Sequence, residues 1–217
     1  MQPPLEYPRA GGNDGRMLCR ENRNVIDLAL WNAGDEAFGM LRSLLTQTEE
    51  SFDLIWIDNA SSDGTPQRLS QAFPDLPKPF INEKNMGFCH GHNQAMHACR
   101  TPYYLALNQD VLLAPDYIEK LCNWMDENED LAMTSGLIMS MARNGPHTGD
   151  KGMPADIASA GLVFPRVRFP FDLGHGQAAE GTFKQRRLIP GVNGAAMMLR
   201  LSGCRHVSIP RDEILAD

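Results

Sequence analysis

The chain predicts an α/β fold with a mostly parallel sheet flanked by helices, and three observations carry that expectation. Strand-like apolar runs alternate with segments of helical periodicity from Asn24 to about Met139. One run, Leu54-Ile55-Trp56-Ile57, is apolar without interruption, as in a strand buried on both faces. Polar clusters recur where the strands end, at Asn32, at Asp58 to Asp63 and at Asn108-Gln109-Asp110. Parallel topology places all three along the carboxyl edge of the sheet, where open α/β sheets bind ligands.

The totals set bounds. With 217 residues the default is one domain. Such a chain buries roughly 70% of its unfolded surface and needs no staples. A net charge of −7 and a pI of about 5.3 disfavour a nucleic-acid partner, which calls for a basic face. They leave a nucleotide ligand open, because its phosphates can be neutralised by a metal or by backbone N–H groups. The five cysteines, Cys19, Cys89, Cys99, Cys122 and Cys204, show no C-x-x-C spacing and read as buried free thiols in a reducing compartment. No apolar run reaches the ~20 residues of a membrane span. The first residues lack the apolar core of a secretory signal. The expected location is cytoplasmic, at most against the inner face of the cell membrane.

Residues 1–23, rich in Pro and Gly and without periodicity, read as a flexible tail, and residues 24–217 as one domain. The first strand, Val25 to Trp31, stops at Asn32-Ala33-Gly34-Asp35. A helix from Glu36 to Gln47 follows, with Ala37, Phe38, Leu41, Leu44 and Leu45 on one stripe. After the second strand, Thr65 reads as N-cap and Pro66 as first residue of a helix carrying Leu69 and Phe73. Phe80-Ile81 is a short third strand. A helix from Gly91 to Cys99 turns Ala95, Met96 and Cys99 inward. Tyr103 to Leu107 is a strand, and the helix opened by Pro115-Asp116 buries Ile118, Leu121, Cys122 and Met125. Leu131 to Met139 and Ile157 to Phe164 read as further strands, Arg143 to Gly152 and Phe171 to Lys184 as loops. Pro190 to Arg200 reads as a small-residue turn followed by a strand.

The chemistry at the three polar stations suits a nucleoside diphosphate. A carboxylate such as Asp58 can accept the imide N–H of uracil or thymine. One at a later station can hold Mg²⁺ or Mn²⁺, which prefer oxygen ligands and keep waters or phosphate oxygens.

The segments Asp58-Asn59-Ala60-Ser61-Ser62-Asp63-Gly64-Thr65, Asn85-Met86-Gly87-Phe88 with Gly91 and Asn93, and Leu107-Asn108-Gln109-Asp110-Val111 resemble the signatures of family 2 glycosyltransferases. Gly191 to Arg200 resembles the acceptor-side segment of the rhamnosyltransferase-like branch. Each motif alone is weak, and their order and spacing together are specific. The resemblance, spanning roughly Val25 to Arg200, implies a GT-A-type fold, that is, a Rossmann-like, mostly parallel sheet flanked by helices. It further implies an inverting transfer from a dTDP- or UDP-type sugar to a glycan or lipid-linked acceptor in polysaccharide biosynthesis. By the same resemblance Asn32, Asp58, Asn59, Asp63, Gly87, Asn93 and Asn108 contact the nucleotide sugar, with Asp58 reading the base and Asp63 near the pocket or shaping its turn. Asp110 holds the metal, Mg²⁺ or Mn²⁺, largely alone because Asn108 is neutral. The family's catalytic base follows its acceptor-side segment in an acidic pair. Arg211-Asp212-Glu213 looks like the start of that phrase, so Asp212, Glu213 and Asp217 are the catalytic candidates and the domain is expected to be truncated at its C-terminus.

Plainer readings stand beside these. Asn, Ser, Asp and Gly also make good turns for local reasons. Cys89-His90-Gly91-His92 with His97 and Cys99 suggests zinc, but on a helix His92 and His97 point about 140° apart. The histidines are expected to line a pocket or face solvent, and Lys84 and Arg100 to be surface charges. Arg166, Arg168, Arg186 and Arg187 form either a solvated basic face or a peripheral contact with a phosphorylated lipid carrier or anionic membrane. The rival readings are a nucleotidyltransferase, which requires a Gly-rich basic loop after the first strand, and a nucleotide-sugar-binding domain without turnover.

Overall fold

The computed structural model describes residues 24–140, 156–165, 169–179 and 183–204. Its centre is a six-stranded sheet. Strands β1 (Asn24–Leu30), β2 (Phe52–Asp58), β3 (Phe80–Ile81) and β4 (Tyr103–Leu107) are the parallel part. Strand β5 (Met133–Thr134) stands at the edge, and β10 (Ala196–Arg200) runs antiparallel between β4 and β5, giving the order β3-β2-β1-β4-β10-β5. Two small antiparallel pairs lie outside it, β6 (Ile138–Met139) with β7 (Ile157–Ser159), and β8 (Leu162–Val163) with β9 (Phe171–Asp172).

Alternation of side chains along β1 divides the core. Ile26, Leu28 and Leu30 face helices α1 (Glu36–Leu44), α2 (Thr65–Ala72) and α4 (Tyr117–Glu127), against Met40, Leu41, Leu69, Ile118 and Met125. Val25 faces the other way, into a smaller cluster with Ile55, Ile57 and Tyr104 beneath α3 (Phe88–Ala98), which contributes Ala95. Burial on both faces explains the unbroken apolar run of β4. A short helix, α5 (Leu201–Cys204), follows β10.

The chain builds β2 and β3 on one side of β1, then crosses to place β4 on the other. The strand order therefore reverses between β1 and β4, a switch point whose carboxyl-end crevice is the ligand site of open α/β sheets.

Several expectations need correction. α1 ends at Leu44, and Leu45 is 49% exposed rather than on the inward stripe, which Met40 completes instead. The N-cap of α2 is Gly64, at φ 76°, and the Thr65 hydroxyl donates to Asp63 rather than capping the helix. α3 begins three residues early, at Phe88, because Gly87 (φ 86°, ψ 169°) turns the chain into it. The strand expected from Leu131 to Met139 is broken at Gly136, whose N–H donates to the Tyr117 hydroxyl at 3.1 Å instead of to a ladder. A Cβ there would lie 2.5 Å from the Tyr117 ring. Gly161, at φ 109°, similarly divides the expected strand from Ile157 to Phe164, and the second half pairs with β9 inside a segment expected to be loop. Cys99 and Cys122 are buried free thiols, but Cys89 is exposed at the start of α3. Residues 1–23, the loop at 143–152, Arg166, Arg168 and the C-terminal candidates lie outside the described residues.

Candidate functional site

Register aligns the ends of the three parallel strands, with Leu30 opposite Asp58 and Leu28 opposite Leu107. Beyond them the polar loops knit together. Asn32, in the left-handed region at φ 45°, donates its N–H to the Ser61 hydroxyl (2.9 Å), and its side-chain oxygen accepts the Ser62 N–H (2.8 Å). On the other flank Gln109 clasps Trp31, its Oε1 accepting the Trp31 N–H at 2.9 Å and its Nε2 donating to the Trp31 carbonyl at 3.2 Å. The loops after β1, β2 and β4 are thus tied together by side-chain hydrogen bonds on both flanks of β1.

Asp58 ends β2 in a buried position. Its Oδ2 accepts the Ser61 N–H, three residues on, at 3.0 Å. Its Oδ1 is equally buried and meets no donor among the described residues. An unsatisfied buried carboxylate oxygen costs about 1–3 kcal/mol or more.

Asn59 is oriented inward. Its Nδ2 donates to the Gly87 carbonyl (3.3 Å) and its Oδ1 accepts from Asn82 (2.8 Å), which exchanges two bonds of 2.9 Å with Gln94 of α3. Asn59 therefore ties the loop after β2 to the start of α3. Asp63 is exposed and engaged by its own loop. Oδ1 accepts the Thr65 N–H (2.9 Å), and Oδ2 accepts the Thr65 hydroxyl (2.6 Å) and the Gly34 N–H (3.1 Å). The Thr65 hydroxyl, foremost, holds its carboxyl below the ordinary value of 3.8. Gly87 caps α3, its N–H donating to Asn85 Oδ1 at 2.8 Å. Asn93 is exposed on the second turn of that helix, its carbonyl 2.7 Å from His97 Nδ1.

Asn108 follows β4, half-buried, its N–H donating to the Ala195 carbonyl (2.8 Å) on the turn before β10. Asp110 is exposed and borders a cavity of about 820 Å³ with Asp35, Arg42, Arg68, Phe38 and Leu112. Among the described residues no three His, Cys, Asp or Glu side chains converge as a ready metal cage. A single exposed carboxylate nevertheless fits a hard cation that takes its remaining oxygens from a diphosphate and water.

The sequence reading missed the Gln109 clasp and the Asn59–Asn82–Gln94 amides. It also misplaced His92, which neither lines a pocket nor faces solvent. His92 is buried, its Nδ1 2.5 Å from Asp27 Oδ2, and the Tyr104 hydroxyl donates to the same oxygen at 2.5 Å. The signal was a charged residue, Asp27, within an otherwise apolar buried strand. Lys84 and Arg100 are exposed, as expected. Among the described residues no helix is long and apolar enough to cross a membrane.

Comparison with known proteins adds independent findings. The sequence profile of glycosyl transferase family 2 matches residues 30–193. The chain is 31% identical over 109 residues to the teichoic acid poly(glycerol phosphate) polymerase of Staphylococcus epidermidis, covering 47% of this chain and 15% of that one. It is 33% identical over 114 residues to the uncharacterized glycosyltransferase YfnE of Bacillus subtilis, covering 52% of this chain and 29% of the relative. The chain thus spans well under half the length of these relatives. Among solved structures, S. aureus TarS residues 1–349 superpose with a TM-score of 0.56 at 17% identity, covering 87% of this chain and 50% of that one. The complex of the same protein with UDP-GlcNAc gives 0.54, covering 87% and 48%. The likeness is one of fold, a GT-A-type mixed α/β domain with a mostly parallel sheet.

Proposed function

The chain belongs to glycosyl transferase family 2, and from that premise we propose that it transfers a sugar from a UDP- or dTDP-linked donor to a hydroxyl of a growing glycan or lipid-linked acceptor, with inversion. The observation that carries the donor assignment is Asp58 Oδ1, buried and without a donor among the described residues, at the carboxyl end of β2 beside the switch point. A pyrimidine imide N–H supplies the missing donor, and the neighbouring Ser61 N–H already holds the other oxygen. The TarS complex with UDP-GlcNAc concerns a protein of the same fold and supports this ligand class.

Asp110 and, more weakly, neutral Asn108 would hold Mg²⁺ or Mn²⁺ across the diphosphate, where the cation supplies charge stabilisation of the leaving group. Proton removal from the acceptor calls for a general base, and Asp212, Glu213 and Asp217 are its carboxylate candidates. The nucleotidyltransferase alternative finds no support in the loop after β1, where Asn32 and Gly34 donate to Ser61 and Asp63 and no basic side chain stands between them.

Calorimetric titration of the wild-type chain with UDP and with dTDP, with and without Mg²⁺, tests the reading. Binding that tightens with the cation is expected. Nucleotide binding without sugar transfer from a UDP- or dTDP-sugar to any acceptor favours a donor-binding domain lacking its base, and no binding to either nucleotide removes the donor assignment.

A further inference from the structure

The layer between the sheet and α3 contains a polar cluster that the proposed reaction does not use. Asp27 is fully buried in the middle of β1. Its Oδ2 receives the Tyr104 hydroxyl of β4 and faces His92 Nδ1 of α3, each at 2.5 Å. The Tyr104 hydroxyl also lies 2.9 Å from the His92 carbonyl, so α3 is gripped through both side chain and main chain at one residue. Two atoms of the cluster, Asp27 Oδ1 and His92 Nε2, are buried without partners among the described residues. Burial pushes the Asp27 carboxyl up, against the opposing pull of His92 and Tyr104. Apolar side chains of equal volume are often as stable as a buried ion pair, so stability gives little reason for this cluster. What it supplies is a single axial position and rotation for α3.

That position reaches the donor crevice through short contacts. The Phe88 ring meets the His92 ring edge-on, with centroids 4.2 Å apart, while Phe88 itself remains 47% exposed. Gly91 fits so closely under the sheet that an added Cβ would lie 3.0 Å from Ala29 Cβ and 3.2 Å from Asn59 Nδ2. Asn59 also holds the Gly87 carbonyl. On the opposite side Phe88 lies beside Gly194, where an added Cβ would be 3.7 Å from the ring. The next residue, Ala195, accepts the Asn108 N–H. One turn of α3 therefore touches both the Asp58-Asn59 wall and the Asn108 wall.

We propose that His92, anchored by Asp27 and Tyr104, is a positioning residue for nucleotide binding that acts through Phe88 and the first turn of α3, joining the two walls of the crevice. The proposal rests on the donor-site reading above. It assigns His92 no contact with the nucleotide and no role in proton transfer.

The test uses the full chain and UDP with Mg²⁺, with dTDP in parallel. His92→Phe keeps the ring against Phe88 but removes the Nδ1 partner of Asp27, and should weaken UDP binding about tenfold. His92→Asn places an amide N–H near the Nδ1 position and should restore affinity to within about twofold. Phe88→Ala should weaken binding to a similar degree. Combined with His92→Phe it should add little, because both changes interrupt one route. A His92→Phe chain that unfolds at lower temperature yet binds UDP as wild type overturns the proposal, as do strictly additive effects of the two changes. Should His92→Phe not fold, the ring-nitrogen and Nδ1 proton resonances of His92 in the ¹⁵N-labelled wild type give the answer. They should shift on saturation with UDP and Mg²⁺, and much less in Phe88→Ala. Absence of a shift in wild type overturns the proposal. If wild type binds neither nucleotide, the donor-site reading itself fails. If wild type binds, Asp58→Asn does not and His92→Phe does, only the positioning role fails.

Discussion

Asp58 and Asp63 sit five residues apart in one loop and do different work. Asp63 is occupied by Thr65 and Gly34 on both oxygens, whereas Asp58 has one oxygen satisfied and one free among the described residues. The first shapes the loop, and the second is the residue proposed to meet the nucleotide base. The Asp63 carboxyl is held below its ordinary value of 3.8 chiefly by the Thr65 hydroxyl. A depressed folded value means that its contribution to stability is complete above the ordinary range and is lost as pH falls through the folded value. Asp63→Asn should therefore flatten the drop in urea midpoint between about pH 5 and about pH 3. The effect should be small because the group is exposed and solvent-screened. An unchanged acid slope would contradict the assignment. At the proposed metal station Asn108 is neutral where a carboxylate would add charge. Asn108→Asp should tighten Mn²⁺ binding in the presence of UDP about tenfold, or ~1.4 kcal/mol, and equal affinity would show that this position does not face the cation.

Among the elements, α3 is the one most dependent on a single backbone position. Gly87 has φ 86° and ψ 169°, a region open essentially to glycine alone, and no atom crowds the place a Cβ would take. Gly87→Ala should thus cost about 1–3 kcal/mol through the backbone alone, seen as a lower urea midpoint, and should weaken UDP binding because Asn59 holds the same residue's carbonyl. Unchanged stability would mean that the turn relaxes. Elements also show why some of the fold was legible and some was not. β1, β2 and β4 are apolar along most of their length and α4 is apolar at helical spacing, and those patterns predict them directly. The stretches Leu131 to Met139 and Ile157 to Phe164 read as two strands, but their described residues form four short ones, because Gly136 donates to Tyr117 and Gly161 adopts a positive φ. Both events are decided by tertiary contacts or a single dihedral, which leave no periodic trace.

At the scale of the whole molecule, the strand order explains why the site was legible. Three separated polar segments fall on one edge because β1, β2 and β4 are parallel neighbours and the order reverses between β1 and β4. Polar residues after apolar runs reveal that edge from sequence. They do not reveal which side chains are free. Asn59 was expected to meet the nucleotide, and the structure turns it toward Gly87 and Asn82. The Asp27–His92–Tyr104 cluster was invisible as a unit, because its members lie 65 and 77 residues apart and meet only when α3 packs on the sheet. The central claim is that the crevice at this edge binds a pyrimidine nucleoside diphosphate through Asp58. Its most direct measurement is the dissociation constant of UDP, with Mg²⁺ present, for wild type and Asp58→Asn at matched folded fraction. Loss of the carboxylate acceptor for the base should weaken binding by about ten- to a hundredfold, or ~1.4–2.8 kcal/mol, while equal constants in the two proteins would contradict the account.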